Sequence, residues 1–489
     1  MADSPSVAHR QTMTHSPQHS LRRAAAAMAM AAACALFAPG AARAQAVWEL
    51  TPYRIQVYLA AGNLPELTPR VLGDLAAGLV DRADVVVGAA WDVRVAAAPD
   101  LLHRQMLGGL NSIQVESLPA EALGADKVTL LWIAPEWTGY RVAARELDVA
   151  TRTFSPVVEK WATAAALLPG TLFAAASDVF APLASIESEA GGKVHLRLRA
   201  GRFPARDPAF LSVAPGDVFR PIIRYDDRDG NPKRILALPW TYFAVEQVDQ
   251  AELTCQMYSG LRTALAGRRR GRVHQLALAV KPPGQSTRLV VRARTASKRP
   301  LCGYDIYLQK PGETAGAWLG RTGLDGSIVI PPGEEPLMIL YVRNGGQLLA
   351  RLPLVPGLEK EAEAVVLDDD QRLAAESAVM AAQEELVDLV TRRAVLAAQI
   401  RGAVKAGDLK SADRMLIDLF ALRTRDQFTT QLAAQRQRLY SEDPIVQKHV
   451  DKMFEETRKL VVQYLDPNEI DKVSAEVREA KAAESNAGT

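Results

Sequence analysis

The residue types able to do chemistry are few and scattered along this chain. The densest cationic group is Arg268, Arg269, Arg270 and Arg272, in the run Ala-Gly-Arg-Arg-Arg-Gly-Arg. Guanidinium groups pair bidentately with phosphate and carboxylate. One reading is therefore an anion contact with a phospholipid headgroup, an acidic glycan or an acidic protein. The other is a solvated loop entering a strand at Val273, since no aromatic residues interleave to make a nucleic-acid platform. Glu146, Asp148 and Asp227 are the acids from which a hydrolytic acid/base pair would be assembled. Asp226, Asp227 and Asp229 precede Gly230, yet counting back from that glycine puts Tyr225 at the first position of a calcium loop, where a carboxylate is needed. Asp-Gly-Asn-Pro between two strand patterns is a hairpin turn on backbone grounds alone.

No metal-ligand spacing occurs among His103, His195, His274 and His449, and there is no H-E-x-x-H or C-x-x-C. A nucleophile elbow, a Walker A loop and a dinucleotide fingerprint are also missing from the sequence. We therefore expect no catalytic, metal or cofactor site. Cys255 and Cys302 either pair as a disulfide or pack as separate thiols; sequence leaves both open.

The first 44 residues read as an export signal. Arg22 and Arg23 precede an apolar run of 14 residues from Ala24 to Phe37, and Pro39-Gly40 and Ala42-Arg43-Ala44 follow. That run is too short to span a bilayer, so cleavage near Gln45 is expected, whether synthesis begins at Met1 or Met13. Cys34 as a lipid-anchored residue is the weaker alternative, because Ala31 stands where a larger aliphatic residue is expected. The leader holds Arg10, Arg22, Arg23 and Arg43 against Asp3, so its loss turns the formal charge of +2 slightly negative. That balance gives no sign of a nucleic-acid binder. A hydrophobic content of 48% excludes wholesale disorder, and no later stretch is long and apolar enough to cross a membrane.

The periodicities give a multidomain α+β chain. Residues 45–187 alternate strand and helix, with strands over Arg54–Leu59, Val85–Val87 and Val93–Val95. Helices are expected over Leu67–Val80, Pro99–Leu110 and Pro169–Ile186. Val128–Ala134 and Tyr140–Val149 flank a hairpin turn. An α/β sandwich with helices on one sheet face follows. The strand ending in Glu146-Leu147-Asp148-Val149-Ala150-Thr151-Arg152, with its D-x-x-T-R turn and a later helix, resembles the α/β module of the Tol propeller protein's amino-terminal domain and of the curli secretion channel. That resemblance implies a module that binds or assembles with envelope proteins and catalyses nothing.

Residues 188–285 read as a small β-barrel or β-sandwich. Residues 286–367 carry Pro300, Leu301 and Gly303, then Thr322, Gly326 and Ile328. This pattern resembles the transthyretin-like, carboxypeptidase-regulatory-like β-sandwich, which implies a fold and no particular activity. Residues 368–489 are helical, with Asp368-Asp369-Asp370 as a cap and breaks at Gly407 and at Asp443-Pro444. A helical hairpin or three-helix bundle is expected, Ser411–Tyr440 forming one of its helices. The whole reads as an exported, non-enzymatic envelope protein. It would serve as a scaffold or assembly module, meet a protein partner through its C-terminal helices, and be open to oligomerisation. A secreted hydrolase using the scattered acids is the alternative.

Overall fold

The computed structural model describes residues 48–261, 263–265, 272–282 and 284–487. The expected export signal, Cys34 and Arg268–Arg270 lie outside them. The described residues form two compact units. One takes the chain up to Leu238 with Phe243–Met257 and Leu265–Lys281; the other takes Pro239–Tyr242, Tyr258–Ala264 and the chain from Pro282 onward.

The first unit begins with β1 (Tyr53–Ala61), α1 (Pro69–Val86), β2 (Trp91–Ala97) and α2 (Asp100–Leu107). It continues through β3 (Lys127–Glu136), β4 (Gly139–Asp148), β5 (Thr153–Phe154), β6 (Val158–Ala162) and α3 (Leu168–Val179). The sheet order is β2-β1-β3-β4-β5, with β6 also on β4. Helix α1 starts where the Thr68 hydroxyl accepts the Val71 N–H and Pro69 fills the first turn. Leu75, Leu79 and Ala83 lie on its buried stripe, and Val87 continues it. Val85–Val87, expected as a strand, therefore falls at the end of this helix. Val87 alone of the three extends the four-residue spacing of the stripe, and Val85 is exposed.

Both faces of the sheet are covered, where one was expected. One face packs on Leu75, Leu79, Leu172 and Phe173 of α1 and α3. The other packs on Leu102, Met106, Leu110 and Ile113. Strand β3 is buried from Lys127 to Ala134 without alternation, as a doubly covered strand must be.

Seven more strands follow: β7 (Leu183–Ala190), β8 (Lys193–Leu198), β9 (Val218–Asp226), β10 (Pro232–Ala237), β11 (Thr241–Asp249), β12 (Glu252–Ser259) and β13 (Val273–Val280). Six close into a barrel in the order β9-β11-β12-β8-β7-β13, with β13 pairing back to β9, and β10 hangs outside β9. Closure leaves those six strands without a free edge. The segment Pro169–Ile186, expected as one helix, is split: α3 stops at Val179 and β7 starts at Leu183. Pro182 forces its predecessor out of the helical region. Leu183, Ile222, Leu276 and Leu278 of the barrel join the core beneath α1 and α3, so module and barrel form one unit.

The second unit opens with β14 (Thr287–Ala293), β15 (Asp305–Gln309), β16 (Ala317–Arg321), β17 (Ser327–Ile330), β18 (Met338–Asn344), β19 (Gln347–Leu354) and β20 (Glu361–Val366). Sheets β17-β14-β20 and β16-β15-β18-β19 face each other over Leu289, Val291, Ile306, Leu340, Val342 and Ala364. The motif residues have physical work here. The Thr322 hydroxyl donates to the Leu301 carbonyl at 2.6 Å and accepts the Tyr304 N–H at 3.0 Å. Gly326 has φ +73°, and a Cβ there would lie 2.6 Å from the Val291 carbonyl.

Five helices, where a hairpin or three-helix bundle is expected, complete the described residues: α4 (Asp370–Lys405), α5 (Leu409–Ala421), α6 (Arg425–Arg438), α7 (Pro444–Tyr464) and α8 (Pro467–Ala487). The expected single helix Ser411–Tyr440 is two, because Thr424 and Gln427 form a capping box that starts α6 afresh. Two apolar clusters hold the bundle. One forms around Leu386, Phe428, Val450 and Phe454, the other around Ile400, Leu419, Val473 and Val477.

Candidate functional site

The hairpin joining β3 and β4 sets up the most unusual chemistry of the first unit. Its turn pairs Glu136 with Gly139, and counting back from that pair places Lys127 opposite Asp148. Glu146 lies two residues before Asp148, hence on the same sheet face. All three side chains are buried, with 0% exposure for Lys127 and 2% for each acid. The Lys127 Nζ stands 3.0 Å from Asp148 Oδ2 and 3.2 Å from Glu146 Oε1, and donates to the Ala181 carbonyl. Asp148 Oδ1 accepts both the N–H and the hydroxyl of Thr151, at 2.7 and 2.6 Å. Glu146 Oε1 accepts the Ala181 N–H at 3.0 Å. The Tyr53 hydroxyl accepts the Leu183 N–H at 2.9 Å, and the rings of Tyr53 and Phe180 wall the ammonium at 5.7 and 5.3 Å.

One cation therefore serves two carboxylates in a site shut off from water. Burial pushes Glu146 up to about 7, against the opposing pull of Lys127. Burial also works against the charge on Lys127, but Asp148 and Glu146 outweigh it and hold the amine above its ordinary range. Tyr53 is driven by burial to about 12. The D-x-x-T part of the sequence motif is thus the side-chain clamp that anchors Asp148.

Beside this ion core opens a cleft of about 260 Å³. The Asp148–Arg152 turn forms one wall, the β9–β10 hairpin at Gly230, Asn231 and Pro232 another, and Arg54, Asp126, Arg199 and Arg224 reach it. Arg224 donates to the carbonyls of Ala150 and Gly230, both at 3.2 Å, and so ties the two walls together. The two acidic motifs singled out in the sequence therefore face one cleft, which their separation along the chain conceals. Asp227 itself is half-buried at the hairpin turn. The backbone N–H groups of Asn231 and Asp229 hold it below its ordinary value, and those bonds shape the hairpin turn.

Arg272 is exposed, and its carbonyl accepts the Asp226 N–H at 2.9 Å. Cys255 and Cys302 are unpaired: Cys255 is buried inside the barrel, where burial pushes its thiol up to about 12, and Cys302 is exposed. The His103 ring sits 3.0 Å from the Ala61 carbonyl and edge-on to Trp132. The His274 Nε2 lies 3.2 Å from Asp226. Among the described residues, no group of three His, Cys, Asp or Glu side chains gathers to hold a metal ion. No described helix is long and apolar enough to cross a membrane.

No protein family matches the chain, and no curated protein matches it. Among solved structures, TolB from Acinetobacter baumannii aligns at 12% identity over 65% of this chain and 96% of its own, with a TM-score of 0.16. The Bacillus anthracis TIE protein aligns at 10% identity over 43% and 45%, with a TM-score of 0.13. Both are weak structural resemblances, too low in TM-score to fix a shared fold.

Proposed function

We propose that this is an exported, non-enzymatic envelope protein that acts as a scaffold or assembly module and associates with protein partners through its C-terminal helices. The carrying observation is the surplus of apolar surface on the helical region. After two internal clusters are filled, Met380 and Val387 of α4 remain 58% and 64% exposed, and Ile417 and Phe420 of α5 remain 68% and 54% exposed. Pairs seven and three residues apart on a helix share a face, and such apolar faces mark interaction sites. The transthyretin-like reading of residues 286–367 belongs to the same proposal, as a spacer or docking domain.

Exchanging Ile417 and Phe420 for aspartate in the full chain tests this reading. Self-association in sedimentation, or capture of an envelope partner, should fall at least tenfold with the melting temperature unchanged. A wild-type chain that is monomeric and captures nothing would defeat it. A second reading, a secreted hydrolase, draws on one observation: Glu146 titrates near 7, where a general acid or base works best.

A further inference from the structure

We propose that the cleft between the Asp148–Arg152 turn and the β9–β10 hairpin is a binding site for a small oxyanion, a phosphate or carboxylate group. The inference stands apart from the scaffold reading, since such a site serves a binding module and an enzyme alike.

The charge balance around the cleft carries it. Asp126 is shared by two guanidinium groups: Arg54 Nε at 3.2 Å and Arg199 Nη2 at 2.7 Å. Asp226 is likewise shared, by Arg224 Nε at 2.6 Å and His274 Nε2 at 3.2 Å. Asp148 is consumed by the buried Lys127. Arg152 lines the cleft with no hydrogen-bonding or ionic partner for its guanidinium among the described residues. Of the residues lining the cleft, four carry guanidinium groups, Arg54, Arg152, Arg199 and Arg224, and two carry carboxylates, Asp126 and Asp148, so the lining itself holds an excess of guanidinium charge. Unanswered arginines in a confined space attract oxyanions, which accept their paired N–H groups bidentately.

The walls are also preorganised. Arg152 holds φ +52°, a left-handed backbone uncommon for a residue with a side chain. Thr151, its neighbour, is bonded twice to Asp148, and Arg224 bonds the Ala150 carbonyl of the same turn. Arg152 is thus presented from a fixed turn, which lowers the ordering cost of binding.

The test titrates the full-length protein by calorimetry at low ionic strength with inorganic phosphate and, separately, with citrate. Saturable binding of either anion is expected, and the preferred one tells phosphate esters from carboxylates as the natural source. Arg152→Gln should weaken binding at least tenfold with the melting temperature unchanged. Arg392→Gln, an exposed arginine on α4, should leave binding as in wild type. Arg54→Gln should weaken it as well, giving a second variant should Arg152→Gln fail to fold. Absence of saturable binding for both anions, or binding untouched by the cleft variants, overturns the proposal.

Discussion

Two clusters of arginine, lysine and aspartate-type groups hold the two units, and they use the same chemistry under opposite conditions. Lys127, Glu146 and Asp148 are sealed within the first unit. In the second unit, Arg299 grips Asp368 and Asp370 at 2.6 and 2.7 Å, and Arg372 grips Asp369 at 2.7 Å. There Arg299 remains 42% exposed. The sealed cluster has lost its hydration and depends wholly on internal partners, so removing one member strands a buried charge. The Arg299 pairs are open to water and salt on the guanidinium side, so each contributes little, whereas Arg372 and Asp369 form the covered part of that cluster. Ion pairs of similar length thus carry very different weights.

The sharpest way to break the comparison is Lys127→Met. It leaves two buried carboxylates without their cation and should cost about 3–5 kcal/mol in urea unfolding at pH 7. A loss below 1 kcal/mol would place the cluster with the open class. Next in size is Glu146→Gln, which keeps the shape and removes the second negative charge. The folded pKa of Glu146 lies above its ordinary 4.5, at about 7. Its contribution is therefore fully present below about pH 4.5 and fades as pH rises through 7. The glutamine variant should flatten that part of the stability profile, and at pH 8 it should equal or exceed wild type. The smallest effect belongs to Arg299→Gln, expected at about 1 kcal/mol or less and shrinking further in high salt.

Much of the frame was legible in the residues. The β3–β4 hairpin, the α1 stripe and the alternating strands of the sandwich follow from periodicity and turn chemistry. Thr322 and Gly326 shape the turn between β16 and β17. The misreadings have physical causes. Val85–Val87 looked like a strand because three β-branched residues in a row mimic one, although they end a helix. The helical pattern reaches Ile186, but Pro182 forbids continuing through it. The α6 start was readable as Thr424-x-x-Gln427, a capping box within what seemed one long helix. The ion core was partly legible: once the hairpin turn is fixed, register alone sets Lys127 against Asp148. The cleft was not, because barrel closure, a long-range event, brings the β9–β10 hairpin to the Asp148 turn.

On the proposed non-enzymatic reading, Glu146 and Asp148 serve the fold and transfer no proton to a substrate. A hydrolase screen on purified full-length protein, run beside Glu146→Gln with urea unfolding of both, tests it most directly. The account predicts that the substitution changes no hydrolytic rate and shifts only the pH dependence of stability. Robust turnover in the wild type that Glu146→Gln abolishes, with folding intact, would contradict it.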